Sequence, residues 1–268
     1  MRPNVTLQAL HSQRRSLVVW CVALSGLIAM YVAIYPSVEG TGSSFTKLIN
    51  DMPEAYRALF TAGGSADFST PAGYLNVELF SFMGPLVVLL HAINSGAAAI
   101  AGEEDHRTLD LLLVNTVSRR RIVYEKVASM VAGVLLLVTA LWIALLVEGR
   151  VAGMAVPVGN SAAALGHLGL LGVEFGCIAL LVGAIRGRVG VSRAVAASLA
   201  VLAYLVSALA PLVTWLQPFR KLSPFFQYNG HDPLRAGPSA LALVVSVASI
   251  IVIVLAATRA FERRDVGT

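Results

Sequence analysis

Val127-Ala-Ser-Met-Val-Ala-Gly-Val-Leu-Leu-Leu-Val-Thr-Ala-Leu-Trp-Ile-Ala-Leu-Leu-Val147 runs for 21 residues without a charge. Coiled as a helix, a stretch of that length crosses the hydrocarbon core of a bilayer, which needs about 20 mostly apolar residues. A lone backbone cannot hydrogen-bond to lipid, so helical pairing within the segment is the stable solution. Five more runs of 19 to 23 residues read the same way: Leu17–Tyr35, Leu79–Ala101, Gly166–Gly187, Ala194–Leu216 and Ser239–Phe261. Together they predict an all-α integral membrane fold with six transmembrane helices in a single domain over residues 1–268. The first run is long and closes on no small-x-small cleavage site, so it reads as an anchor.

Composition agrees. Of 268 residues 57% are hydrophobic and 13% charged, with a mean hydropathy of +0.75. A soluble domain averages about 45–50% apolar and about 25% charged. These values exclude a disulfide scaffold, a disordered tail and nearly any soluble enzyme. Cys21 and Cys177 sit singly inside apolar runs and read as packing residues, neither disulfide nor zinc ligands.

The net charge of +5 does not point to nucleic acid, because the bases lie in short clusters between spans. With the N-terminus inside, fourteen Lys and Arg fall on the inner side and six on the outer. The positive-inside rule therefore predicts both termini in the cytoplasm. One outer loop departs from it, since Arg220, Lys221 and Arg235 outnumber Asp232 there. Arg188–Arg193 is short enough to make spans four and five a tight hairpin. Asn4–Ser16 reads as an amphipathic interfacial helix. The first outer connection, Pro36–Glu78, carries five acids and two bases, and Met52–Phe60 within it predicts a short surface helix with Pro53 and Glu54 at its start.

The chain has no familiar catalytic constellation. None of its three lysines, Lys47, Lys126 and Lys221, follows a glycine, so no phosphate-binding loop is present. Nor does it contain HExxH, GxSxG or a dinucleotide fingerprint. The informative segment is the inner loop. There Glu103, Glu104 and Asp105 precede an apolar set at Leu109, Leu112 and Leu113, and Arg119–Arg121 follow. Acids first and bases last complement a helix dipole, and the i, i+3, i+4 leucines give such a helix an adhesive face. It is either an interfacial float or a docking element for a soluble partner.

Polar groups inside spans are costly and mark candidates for function. His91 lies midway along the second span with Asn94 one turn on. Glu174 lies in the fourth, with His167 seven residues earlier on the same face. Gly172 and Gly176, spaced for close helix approach, project the other way. Two readings stand for the polar face: a substrate path or dimer seam attracting cationic cargo, or a structural pair in which Glu174 meets His91 or another donor.

Four stretches carry a family resemblance, spread in order over nearly the whole chain. Ala101-Gly-Glu-Glu…Thr108-Leu-Asp-Leu-Leu-Leu…Val117-Ser-Arg-Arg resembles the signature of the type-2 ABC exporter permeases. Trp20 to Tyr35-Pro36-Ser37 resembles their first span, Leu222-Ser-Pro-Phe-Phe…Asp232-Pro-Leu…Gly237 their last outer loop, and Phe261-Glu-Arg-Arg-Asp265 their tail. Arg107 and Thr116 stand where the family has glycine and proline. The resemblance implies a cytoplasmic coupling helix that seats in a separate ATP-binding cassette subunit, with Glu103, Glu104, Thr108, Leu109, Leu112, Ser118 and Arg119 at the matching positions. It implies a second permease copy, identical or related, in a bacterial plasma membrane. ATP and Mg would be bound by the partner, with no cofactor in this chain. The cargo would be drug-, antibiotic- or lipid-like, as for actinobacterial multidrug exporters. Two rivals fit less well. An intramembrane protease with a Glu-Glu-x-x-x-Arg motif would need one residue more between Glu104 and Arg107. An ion-coupled secondary transporter would show repeated halves with broken helices.

Overall fold

The computed structural model describes residues 5–62, 67–105 and 118–264, with side chains from residue 17 onward. Within them the chain forms α1 (Val5–Glu39), α2 (Gly42–Asn50), α3 (Glu54–Phe60) and α4 (Pro71–Leu75), which passes through a π-helical stretch (Asn76–Met83) into α5 (Gly84–Asp105). Then come α6 (Arg119–Val151), α7 (Val158–Arg186), α8 (Val189–Leu209), a 3₁₀ turn (Thr214–Leu216), α9 (Gln217–Arg220), α10 (Pro224–Asn229), α11 (Pro233–Ala236) and α12 (Ala240–Arg263). Among the described residues six helices are long and apolar enough to cross a membrane: α1, the continuous α4–π–α5 rod, α6, α7, α8 and α12.

The spans match the sequence expectation in number and order, with shifted ends. No break separates the predicted interfacial segment from the first span, since α1 is helical from Val5 onward. The second span begins at Pro71, eight residues early, because Thr70 caps it by accepting from the Gly73 amide at 3.2 Å, with Pro71 in the first turn. The fifth ends at Leu209 and not Leu216, where the chain turns into the 3₁₀ segment. The predicted hairpin between spans four and five is tighter than the sequence suggests. Gly187 sits in the left-handed region at φ 62° and closes α7 by donating to the Gly183 carbonyl at 2.8 Å. Only Arg188 then separates it from α8.

α7 is the hub. It packs against α5, α6, α8 and α12, while α1 leans on α6. Lipid tails are as apolar as leucine, so the hydrophobic effect gives spans little reason to associate, and close packing must hold them. Small residues supply it. Gly172 of α7 abuts Val88 and Ala92 of α5, and Gly176 abuts Met130 of α6 and the Ala92 carbonyl. The predicted small-residue stripe is therefore the α5–α6–α7 seam.

Pro85 explains the π-helical stretch. It has no N–H to donate, and its ring crowds the carbonyl four residues back. The turns before it widen, and the Gly84 amide donates to Leu79, five residues back. Phe80 would then look to residue 85 for a donor, finds proline, and instead accepts from the buried Tyr228 hydroxyl of α10 at 2.8 Å. Ser81 donates back to the Asn76 carbonyl at 2.8 Å. A π-helical stretch inside a helix often marks a functional place.

Candidate functional site

The six spans run alternately, so the start of α1, the end of α12, Glu103–Asp105, Ser118–Arg121 and Gly187 gather at one end of the bundle. The sequence reading gave the acids to the start of a helix and the arginines to its end. The helix of that reading lies outside the described residues, and the structure shows the charges on the flanking spans. Glu103, Glu104 and Asp105 lie in the last turn of α5, and Arg119–Arg121 in the first turn of α6. Both placements oppose the helix dipole and need compensating partners.

The partners come from within the chain. Lys126 Nζ of α6 lies 2.5 Å from Glu103 Oε1, and Arg264 2.5 Å from Glu104 Oε1. Arg119 donates to the carbonyls of Phe261 (3.0 Å) and Arg264 (2.5 Å) and stands 5.6 Å from the Phe261 ring centroid. Its charge thus sits at the negative end of α12, which satisfies the last carbonyls there. Arg120 pairs with Glu262, and Arg121 with Glu125 at 2.7 Å. Ser118 is the α6 N-cap, accepting from the Arg121 amide at 3.4 Å. Gly187 packs on the Glu104–Arg264 pair so closely that a methyl there would collide with both. The result is a rim that ties α5, α6, the α7–α8 turn and α12 together.

Four of the sequence-predicted interface residues, Glu103, Glu104, Ser118 and Arg119, therefore meet in this rim. Thr108, Leu109 and Leu112 lie outside the described residues, as does the coupling helix itself. Sequence reasoning missed Lys126, Gly187, Phe261 and Arg264, whose separation along the chain hides the pairing.

The intramembrane candidates divide. Glu174 is buried and accepts from Ser249 of α12. His167, on the same face, accepts at Nε2 from the Ser239 amide at 3.4 Å and meets His231 edge to face with ring centroids 4.6 Å apart. Both thus face α12, as their spacing predicts. His91 is buried on another wall, edge-on to Trp20 at 6.4 Å, so it does not pair with Glu174. Asn94 is exposed, its amide donating to the Leu90 carbonyl at 2.7 Å.

The other end of the bundle is closed by loop-to-loop contacts. Arg235 lies 2.5 Å from Asp67, whose carboxylate also accepts from the Ser69 hydroxyl (2.6 Å) and Thr70 (3.0 Å). The Ser69 bond chiefly holds that carboxyl below the usual range, with Thr70 and Arg235 adding to it and burial opposing. Arg220 stands 5.2 Å from the Phe226 ring centroid. Two of the three bases that break the positive-inside count are thus engaged locally. Tyr204 of α8 donates its hydroxyl to the Leu59 carbonyl of α3, which roofs a cavity between α1, the π stretch and α8.

The family model for ABC-2 family transporter proteins matches residues 4–266. The chain belongs to that family. No curated protein matches it. This ABC-2 permease is a multi-pass membrane protein of the transporter class, and the family's subunits carry cargo without catalysing a reaction themselves. The rim coincides with the stretch that carried the resemblance. The glutamates that invited comparison with a protease are engaged by Lys126 and Arg264 of the same chain.

Proposed function

We propose that the chain is the permease half of an ABC exporter in a bacterial plasma membrane, with the rim and both termini in the cytoplasm. Two copies, identical or related, pair with two separate ATP-binding cassette subunits, which bind ATP and Mg. The segment that carries Glu103, Glu104, Thr108, Leu109, Leu112, Ser118 and Arg119 couples the permease to that partner. The cargo is a drug-, antibiotic- or lipid-like molecule. The observation that carries this reading is the rim itself. The loop that would meet the ATPase leaves from Asp105 and returns at Ser118, and both ends are clamped to α12 and the α7–α8 turn.

A rigid clamp changes what the acids do. Glu103 and Glu104 hold the loop's base against the bundle, and the apolar residues beyond them meet the partner. A push on the loop then shifts α5, α6 and α12 as one body, the behaviour that switching between inward and outward access requires. The exposed Asn94, halfway along a span, fits a wall covered by the second copy better than one bathed in lipid.

The test is co-expression with a candidate ATP-binding cassette subunit. Co-purification and ATP-driven accumulation of a cargo in inside-out vesicles are expected. Transport that persists without any ATPase, driven by an ion gradient, would overturn the reading.

A further inference from the structure

Two adjoining cavities share a wall, one at the end opposite the rim and one along the spans. One, of about 550 Å³, lies under α3 and is lined by Tyr31, Tyr56, Phe60, Glu78 and Tyr204 among others. The other, of about 370 Å³, is a side groove between α5 and α8, lined by Pro85, Leu89, Ile93, Ala200 and Val201 among others. Phe82 and Tyr204 line both. Each volume falls in the range of small-molecule sites, roughly 300–1,000 Å³.

Glu78 is the one charged residue lining either cavity. It is half-buried on the π-helical stretch, and among the described residues no ion pair includes it. A carboxylate there is costly without a cation to offset its lost hydration. Tyr31, Tyr56, Phe60 and Tyr204 surround the same space, and aromatic faces attract cations. The groove beyond Phe82 is apolar. Charge at one end and grease at the other define the complement.

We propose that the two adjoining cavities bind a cationic amphiphile, its positive head at Glu78 among the tyrosines and its apolar body passing the shared Phe82 and Tyr204 side chains into the α5–α8 groove. Pro85 builds the site, since the wide turns it forces lie where Glu78 and Phe82 project. A neutral acyl chain would fill the groove but leave Glu78 unmatched, as would a second copy packed against α8. The proposal rests on the exporter reading for the fate of the ligand, not for its binding.

The test is equilibrium binding to the purified permease in nanodiscs, without any ATPase. The probes are rhodamine 6G, a cationic amphiphile, and pyrene, an uncharged aromatic hydrocarbon, both read by fluorescence anisotropy. Wild type should bind rhodamine 6G saturably. Glu78→Gln should weaken it about ten- to a hundredfold, the size of a lost charged contact, and leave pyrene unchanged. Glu78→Asp keeps the charge and should bind within a few-fold of wild type, which separates charge loss from misfolding. Val201→Trp, at a lipid-facing groove position, should weaken both probes.

Rhodamine binding unchanged in Glu78→Gln, or lost equally in Glu78→Asp, overturns the proposal. So does a Val201→Trp protein that changes oligomeric state yet still binds rhodamine, because the groove then belongs to a second copy. Intact binding without ATP-driven efflux counts against the exporter reading and leaves this site standing.

Discussion

Gly96 of α5 and Gly176 of α7 meet backbone to backbone: a methyl built on Gly96 would lie well inside van der Waals contact distance of the Gly176 carbonyl oxygen. No side chain can yield there, so the two helices must part or shift. Gly96→Ala should therefore cost about 1–3 kcal/mol, the range of overpacking. The control is Gly26→Ala, whose methyl meets nothing within 4 Å. Unfolding in mixed detergent micelles checks this, and equal stability of the two variants would contradict the crossing.

The rim should behave as one coupled unit. Glu104→Arg and Arg264→Glu should each lower ATP-driven transport, and the double exchange should restore much of it. Ion pairs this accessible contribute only about 0–1 kcal/mol to stability, so the effect should appear in coupling rather than in folding. Additive losses in the double variant would show that the two residues act separately.

Gly187→Ala strikes the same rim from the backbone side. A residue with a Cβ in the left-handed region costs about 1–2 kcal/mol, before its collision with Glu104 and Arg264 is counted. Ile185→Ala, on an exposed position two residues earlier, should be near neutral. Comparing the two by thermal unfolding and by ATPase stimulation tests whether the α7–α8 turn reports to the partner.

Tyr228→Phe removes the hydroxyl that satisfies the Phe80 carbonyl at 2.8 Å. Both groups are buried, so the orphaned carbonyl should cost about 1–3 kcal/mol. Adding Pro85→Ala should recover part of that loss, because residue 85 regains an N–H to donate. No recovery would mean that Pro85 is not the cause of the wide turns.

Stability should fall in two steps on acidification. Burial holds the His231 imidazole below the ordinary histidine range, with Asp232 opposing weakly. As pH drops through about 6.5 the unfolded chain takes up a proton that the folded chain refuses, so stability declines there. Asp67 is held low instead, so its contribution is present above about 3.9 and is lost as pH falls through its depressed folded value. His231→Gln should shrink the upper step and Asp67→Asn the lower one. Unfolding midpoints against pH check both, and an upper step unchanged in His231→Gln would contradict the first assignment.

The spans were legible because bilayer thickness fixes the length of an apolar run, and a run such as Val127–Val147 needs no partner to declare itself. The glycine face of the fourth span was legible too, since Gly172 and Gly176 share one side at helical spacing while Glu174 takes the other. The ends were not. Whether Leu209 or Leu216 closes a span depends on where the chain finds a turn, and whether Pro71 or Leu79 opens one depends on a cap at Thr70.

The candidate site shows the same division. Sequence alone singled out Glu103, Glu104, Ser118 and Arg119, because charge blocks beside an apolar set are visible without a fold. It did not place the acids in the last turn of α5 or the arginines in the first turn of α6, since those boundaries depend on where the chain turns. Glu78 escaped notice altogether. On paper it is one of five acids in a loop, and only the convergence of α1, α3 and α8 around it sets it apart.

What the sequence determined by itself is the solvent and the plan: six bilayer-length helices, their order, and a charged loop between the second and third spans. These follow from local chemistry, hydration of charge and the length of apolar runs. The tertiary structure alone decided that Arg264 closes on Glu104, that Arg119 caps a helix 142 residues away at Phe261, and that Glu78 faces an aromatic-lined cavity. Those contacts join positions distant in the chain, and pairing of that kind is set by how the helices pack.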